Sequence, residues 1–225
     1  MAVHLWTEGE KMLVVSSFEI TESGKRTQPC GQTEGHEYRA GRYYNFRENP
    51  ELIETQLEDF SPYSDRPAIK LFYSFLKWIN GNDSALESTD CLLSGEPTES
   101  PSAYLFHCSH KNHGRVEFFV RNIETNADKK LIIWIYDKLS LYLQIERPDF
   151  RKGSLRITPL ITDYIRAGRN ELTGYRFCIH FYAYGNGVED TWVSLNAIFD
   201  NIMKATKRLN SEMITGDAVP LYEIN

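Results

Sequence analysis

Residues 107–113 read HCSHKNH and place three of the six histidines and one of the four cysteines inside seven positions. Thiolates and imidazoles bind zinc, and a thiolate beside an imidazole forms a nucleophile–base pair. As a strand over 104–110, the segment alternates. Tyr104, Phe106, Cys108 and His110 then share one face, with Leu105, His107 and Ser109 on the other. His107 is thereby kept from any ion held by Cys108 and His110, whereas His113 lies across a turn. Cys178-Ile179-His180 repeats the same spacing. If the two strands were neighbours in matching register, Cys108, His110, Cys178 and His180 would offer a tetrahedral zinc set. Neither pair has the spacing of a zinc finger. The expectation is therefore a hairpin turning at Lys111-Asn112-His113-Gly114, with Cys108 half-buried, His110 and His113 exposed, and no metal or other cofactor. A nucleophile at Cys108 or Cys178 would also need an orienting group and oxyanion donors, and no local signature supplies them.

A different chemistry is carried by YRFCIHFYAY. Phe177, Ile179, Phe181 and Ala183 alternate as a core side, which leaves Arg176, Cys178, His180, Tyr182 and Tyr184 on the opposite side. In RVEFFVRN, Val116, Phe118 and Val120 point inward, and Arg115, Glu117, Phe119 and Arg121 point outward. Such faces are neither cleanly apolar nor simply solvated. Arg and Tyr dominate binding hot spots, so Arg115, Arg121, Arg176, His180, Tyr182 and Tyr184 form the candidate binding set.

Charge is unevenly distributed. Seven bases (Arg147, Arg151, Lys152, Arg156, Arg166, Arg169 and Arg176) face three acids between 147 and 176. Residues 48–65 hold six acids and no base, and 83–100 add five more acids. A dipolar surface suits a charged protein partner. The basic segment, with Phe150, Tyr164 and Tyr175, offers an alternative in RNA or phosphate binding. A formal net charge of −6 argues against general nucleic-acid affinity. No P-loop, dinucleotide fingerprint, HExxH, GxSxG or EF-hand occurs. The function expected is binding without catalysis, similar in character to small neutralising or immunity proteins. An enzyme or zinc protein built on the Cys/His pairs is the second class. No apolar run is long enough for a membrane span, no leader is evident, and the cysteines are widely spaced. The location expected is the cytoplasm, with reduced thiols.

The elements that must position these residues follow from periodicity. KMLVVSSFEI and HEYRAGRYYNF read as strands joined by a long polar loop. Asn49-Pro50-Glu51 starts a helix whose Leu52, Ile53, Leu57 and Phe60 share a face until Ser61-Pro62. Residues 66–80 form a helix with apolar residues on most sides. Residues 81–102 read as a polar acidic loop, mobile and open to proteolysis. Residues 130–146 fit a helix better than a strand. GSLRITPLI is a short strand, and a final helix over 188–209 starts at an Asn186/Glu189 capping box, with a polar tail after 211. Strands interleaved with few helices give an α+β fold: a mostly antiparallel sheet covered by helices, in one domain over 1–225.

Overall fold

The computed structural model describes residues 12–16, 27–28, 46–55, 62–100, 106–148, 152–166 and 169–215. Among these residues the α-helices are α1 (Leu52–Thr55), α2 (Pro67–Asn80), α3 (Lys129–Ile145) and α4 (Val188–Thr215). Eight strands form one sheet: β1 (Met12–Ser16), β2 (Thr27–Gln28), β3 (Leu86–Ser88), β4 (Leu92–Leu93), β5 (Thr98–Glu99), β6 (His110–Val120), β7 (Lys152–Arg166) and β8 (Arg169–Gly185). The order is β1-β7-β8-β6-β3, with β2 also on β7, and β4 and β5 also on β6. β1 and β2 run parallel to β7, and every other pairing is antiparallel. The α+β class with a mostly antiparallel sheet is therefore correct.

One face of the sheet lies under the helices. Phe177, Ile179, Phe181 and Ala183 of β8, Val116, Phe118 and Val120 of β6, and Leu155 and Ile157 of β7 join the apolar residues of α2, α3 and α4 in one core. Phe199 of α4 sits at its centre, with ring centroids 5.1 Å from both Phe72 and Phe181. The alternation read from the two central strands holds at every one of these positions. α3 settles the ambiguous 130–146 segment as helix, capped by Asp128, whose carboxylate accepts from the Lys130 and Leu131 amides. α4 starts differently from the capping box. The Asp190 carboxylate takes the Asn186 amide, while Glu189 pairs with Arg66 across to α2.

Three other expectations are corrected. Lys111-Asn112-His113-Gly114 is no turn, because β6 runs unbroken through it. The chain reverses earlier, at Phe106 and His107, whose φ values are 63° and 50°. The acidic stretch from 81 is not irregular throughout: β3, β4 and β5 pair in succession along the edge of β6. α4 continues past Ser211 to Thr215, and the tail beyond lies outside the described residues. So do positions 36–45 of the second expected strand, positions 56–61 of the first helix, and 104–105 of the strand expected over 104–110.

Gly114 carries the turn-like signal for a different reason. A Cβ there would meet the Leu92 carbonyl oxygen at 2.2 Å and the Phe181 ring at 2.5 Å. The glycine lets β4 and the core ring approach one strand from two sides. Gly114→Ala is expected to destabilise by about 1–3 kcal/mol, as overpacking does. A urea midpoint unchanged from wild type would contradict this.

Candidate binding face

The sheet's other face carries the candidate residues. Antiparallel pairing sets three strands side by side, so directly opposed residues form cross-strand rows. Lys111, Tyr184 and Lys152 make the first row, followed by His113, Tyr182 and Ser154, then Arg115, His180 and Arg156, and then Glu117, Cys178 and Thr158. Arg176 lies one step further along β8, opposite Leu160.

This face divides into a buried end and an open end. At the buried end, Arg176 is 2% exposed and Glu117 4% exposed. Arg176 donates from Nε to Glu117 Oε2 at 2.8 Å and from Nη1 to Thr162 Oγ1 at 2.7 Å. Arg115 Nε lies 3.3 Å from Glu117 Oε1, and Arg115 Nη2 donates to Asp90 at 2.9 Å. Glu117 thus stands between two guanidiniums, one at each oxygen, as burial of a carboxylate requires. Arg176 is consequently a structural ion-pair partner and not a surface contact. Arg121 is structural as well. It donates to the Ile79 and Gly81 carbonyls at 3.2 and 2.7 Å, closing the C-terminal end of α2.

The open end brings Arg115, His180 and Tyr182 together. Tyr182 is 41% exposed, and its ring lies 5.7 Å from His113 and 6.4 Å from Tyr184, nearly parallel to both. Tyr184 is itself buried, with Phe106 at 5.5 Å. Lys152 donates to the Phe106 carbonyl at 3.2 Å, which ties the turn to the sheet. Arg156, His113 and His180 are exposed, and Lys111 is half-buried. Neither Arg156 nor Lys111 has an acidic partner among the described residues.

The two Cys/His pairs do not converge. His110 stands opposite Gly185, five residues along β8 from His180, or roughly 17 Å at strand rise. Cys108 is buried beside the turn, its sulfur 3.6 Å from the Phe106 carbonyl oxygen. Among the described residues, no three His, Cys, Asp or Glu side chains are grouped as a metal site would need. Cys178 and His180 do meet, Sγ to Nε2, at 3.2 Å. Burial holds the Cys178 thiol far above its ordinary pKa, with Glu117 adding to the effect. The sulfur is fully buried and protonated, the opposite of an activated nucleophile.

The basic stretch 147–176 is dispersed. Lys152 and Arg156 sit at the open end, Arg176 is buried, and Arg166 pairs with Arg169 at the far end of β7, roughly 33 Å from Arg156 at strand rise. Lys111, His113 and Arg156 belong to the open face and were absent from the set read off the sequence. For Arg156, the polar alternation Ser154, Arg156, Thr158 was the visible signal. No helix among the described residues is long and apolar enough to cross a membrane. No family model, curated protein or solved structure matches the chain.

Proposed function

We propose that the protein is a non-enzymatic binding module that engages an acidic protein partner through the open end of this sheet face. The observation that carries this reading is the exposed, nearly parallel pair of rings His113 and Tyr182, backed by buried Tyr184 and flanked by Lys111, Lys152, Arg115 and Arg156. Aromatic rings supply contact area at little entropy cost, and the surrounding cations select a partner of opposite charge. Among the described residues, Asp90 and Glu117 are the acids engaged on Arg115, and Glu117 is shared with Arg176. Four cations on a chain of net charge −6 suit a protein surface better than a polyanion, whose affinity grows with each phosphate neutralised. A partner covered on its acidic surface would be neutralised by occlusion.

A photo-crosslinking phenylalanine analogue at position 182 tests this in extract of the native host, with the same analogue at exposed Leu141 of α3 as control. The expected product is a salt-sensitive crosslink to an acidic protein from position 182 only. Crosslinking to nucleic acid, or equally from position 141, would overturn it. Arg156→Gln should change unfolding free energy by about 0.5 kcal/mol or less, as exposed substitutions do. The same variant should still weaken the crosslink, which separates binding from folding.

A further inference from the structure

One row of the open face differs from its neighbours. Arg115, His180 and Arg156 stand directly opposite one another on three adjacent strands, one arginine on each side of an imidazole. Opposed residues on one face have Cβ atoms roughly 5 Å apart, so the three heads share a small region of surface. We propose that this row is an oxyanion seat for a carboxylate or phosphate oxygen carried by the partner, an inference that rests on the binding-face reading above.

Each member is prepared for that role by a different neighbour. Arg115 is held in place by Asp90 and by Glu117. Arg156 is exposed, and no acid among the described residues offsets its charge. His180 is oriented by Cys178. In the tautomer the seat requires, the buried thiol donates S–H to Nε2 across the 3.2 Å contact, and the imidazole proton on Nδ1 is the available donor. The charged groups acting on the imidazole are Arg115 from β6 and Arg156 from β7, while Asp90 and Glu117 act on Arg115. Partial desolvation first, then the two arginines, hold its pKa below the usual range, so the resting ring is neutral. An anion lying between the guanidiniums would reverse the arginine contribution. The imidazole would then take up a proton, giving the seat a third positive group beside Arg115 and Arg156. Anion affinity should accordingly rise as pH falls through the His180 titration.

The test is an NMR titration of the His180 imidazole in the full chain, with inorganic phosphate, acetate or chloride at matched ionic strength. Phosphate is expected to raise the His180 pKa by about one unit, equivalent to tenfold tighter anion binding by the protonated ring. A larger response to phosphate than to acetate assigns a phosphoryl source, and an equal response assigns a carboxylate. Arg156→Gln should raise the resting His180 pKa and remove most of the phosphate response, while Lys204→Gln on α4 leaves both unchanged. A His180 titration identical in phosphate and chloride would overturn the seat, as would a response that survives Arg156→Gln intact. The two proposals fail separately. An Arg156→Gln chain that still crosslinks fully at position 182 removes the seat and keeps the face. A wild-type chain that never crosslinks there removes the face, whatever the histidine reports.

Discussion

Phe199→Ala is expected to lower unfolding free energy by about 3–5 kcal/mol, the range for truncating a large core aromatic. Phe199 is 1% exposed and lies where α4 meets both α2 and the sheet. Its ring contacts Phe72 at 5.1 Å and meets Phe181 edge-on, at 70° and 5.1 Å. Removing it deletes two aromatic pairs and leaves a void lined by three elements that cannot all move inward together. Phe199→Leu keeps most of the volume and should cost about 1 kcal/mol. Guanidinium unfolding of the three chains gives the comparison. A midpoint for the alanine chain within error of wild type would show that the core is centred elsewhere.

Arg176→Met should be comparably damaging, at about 3–5 kcal/mol, for an electrostatic reason. Methionine fills much of the same space but leaves Glu117 Oε2 without its 2.8 Å donor, and Thr162 loses its contact as well. A carboxylate 4% exposed has little water to replace that bond. Adding Glu117→Gln removes the stranded charge, so the double variant should be clearly more stable than the sum of the two single losses implies. Strict additivity of the two substitutions would mean that the pair is not coupled, contrary to the geometry.

Most of the fold could be read from the sequence, because apolar periodicity is a local property. The stripes of 66–80 and 188–209 became α2 and α4, and the alternation in YRFCIHFYAY and RVEFFVRN sorted both strands correctly into core and opposite faces. What escaped depended on non-local packing. Gly114 looks like a turn glycine, yet it is required by the Leu92 carbonyl and the Phe181 ring, distant in sequence. The 81–100 stretch is too polar and too broken to read as strand, because its segments are only two or three residues long and borrow their hydrogen bonds from β6.

The binding face was half legible for a similar reason. Side-chain alternation placed Arg176 and Tyr182 on one face, but could not say that Glu117 would bury Arg176 while Tyr182 stayed exposed. Arg156 was still harder to assign. Its place opposite His180 depends on a register shift between Tyr164 and Arg166. Continuing the Arg166–Arg169 pairing without that shift would put Arg156 opposite Ile179, among core residues. The alternation of core Leu155 and Ile157 with Ser154, Arg156 and Thr158 gives the face, and the irregularity near the hairpin end reconciles the Arg166–Arg169 pairing with it.

Hydroxyl-radical footprinting of the full chain, alone and with the partner captured at position 182, tests the central claim most directly, because it reports side-chain access residue by residue. Partner binding should protect Tyr182, His113 and His180 while leaving Leu141, Ile145 and Ile133 of α3 as reactive as in the free chain. Protection confined to those α3 side chains, with Tyr182 unchanged, would contradict the account.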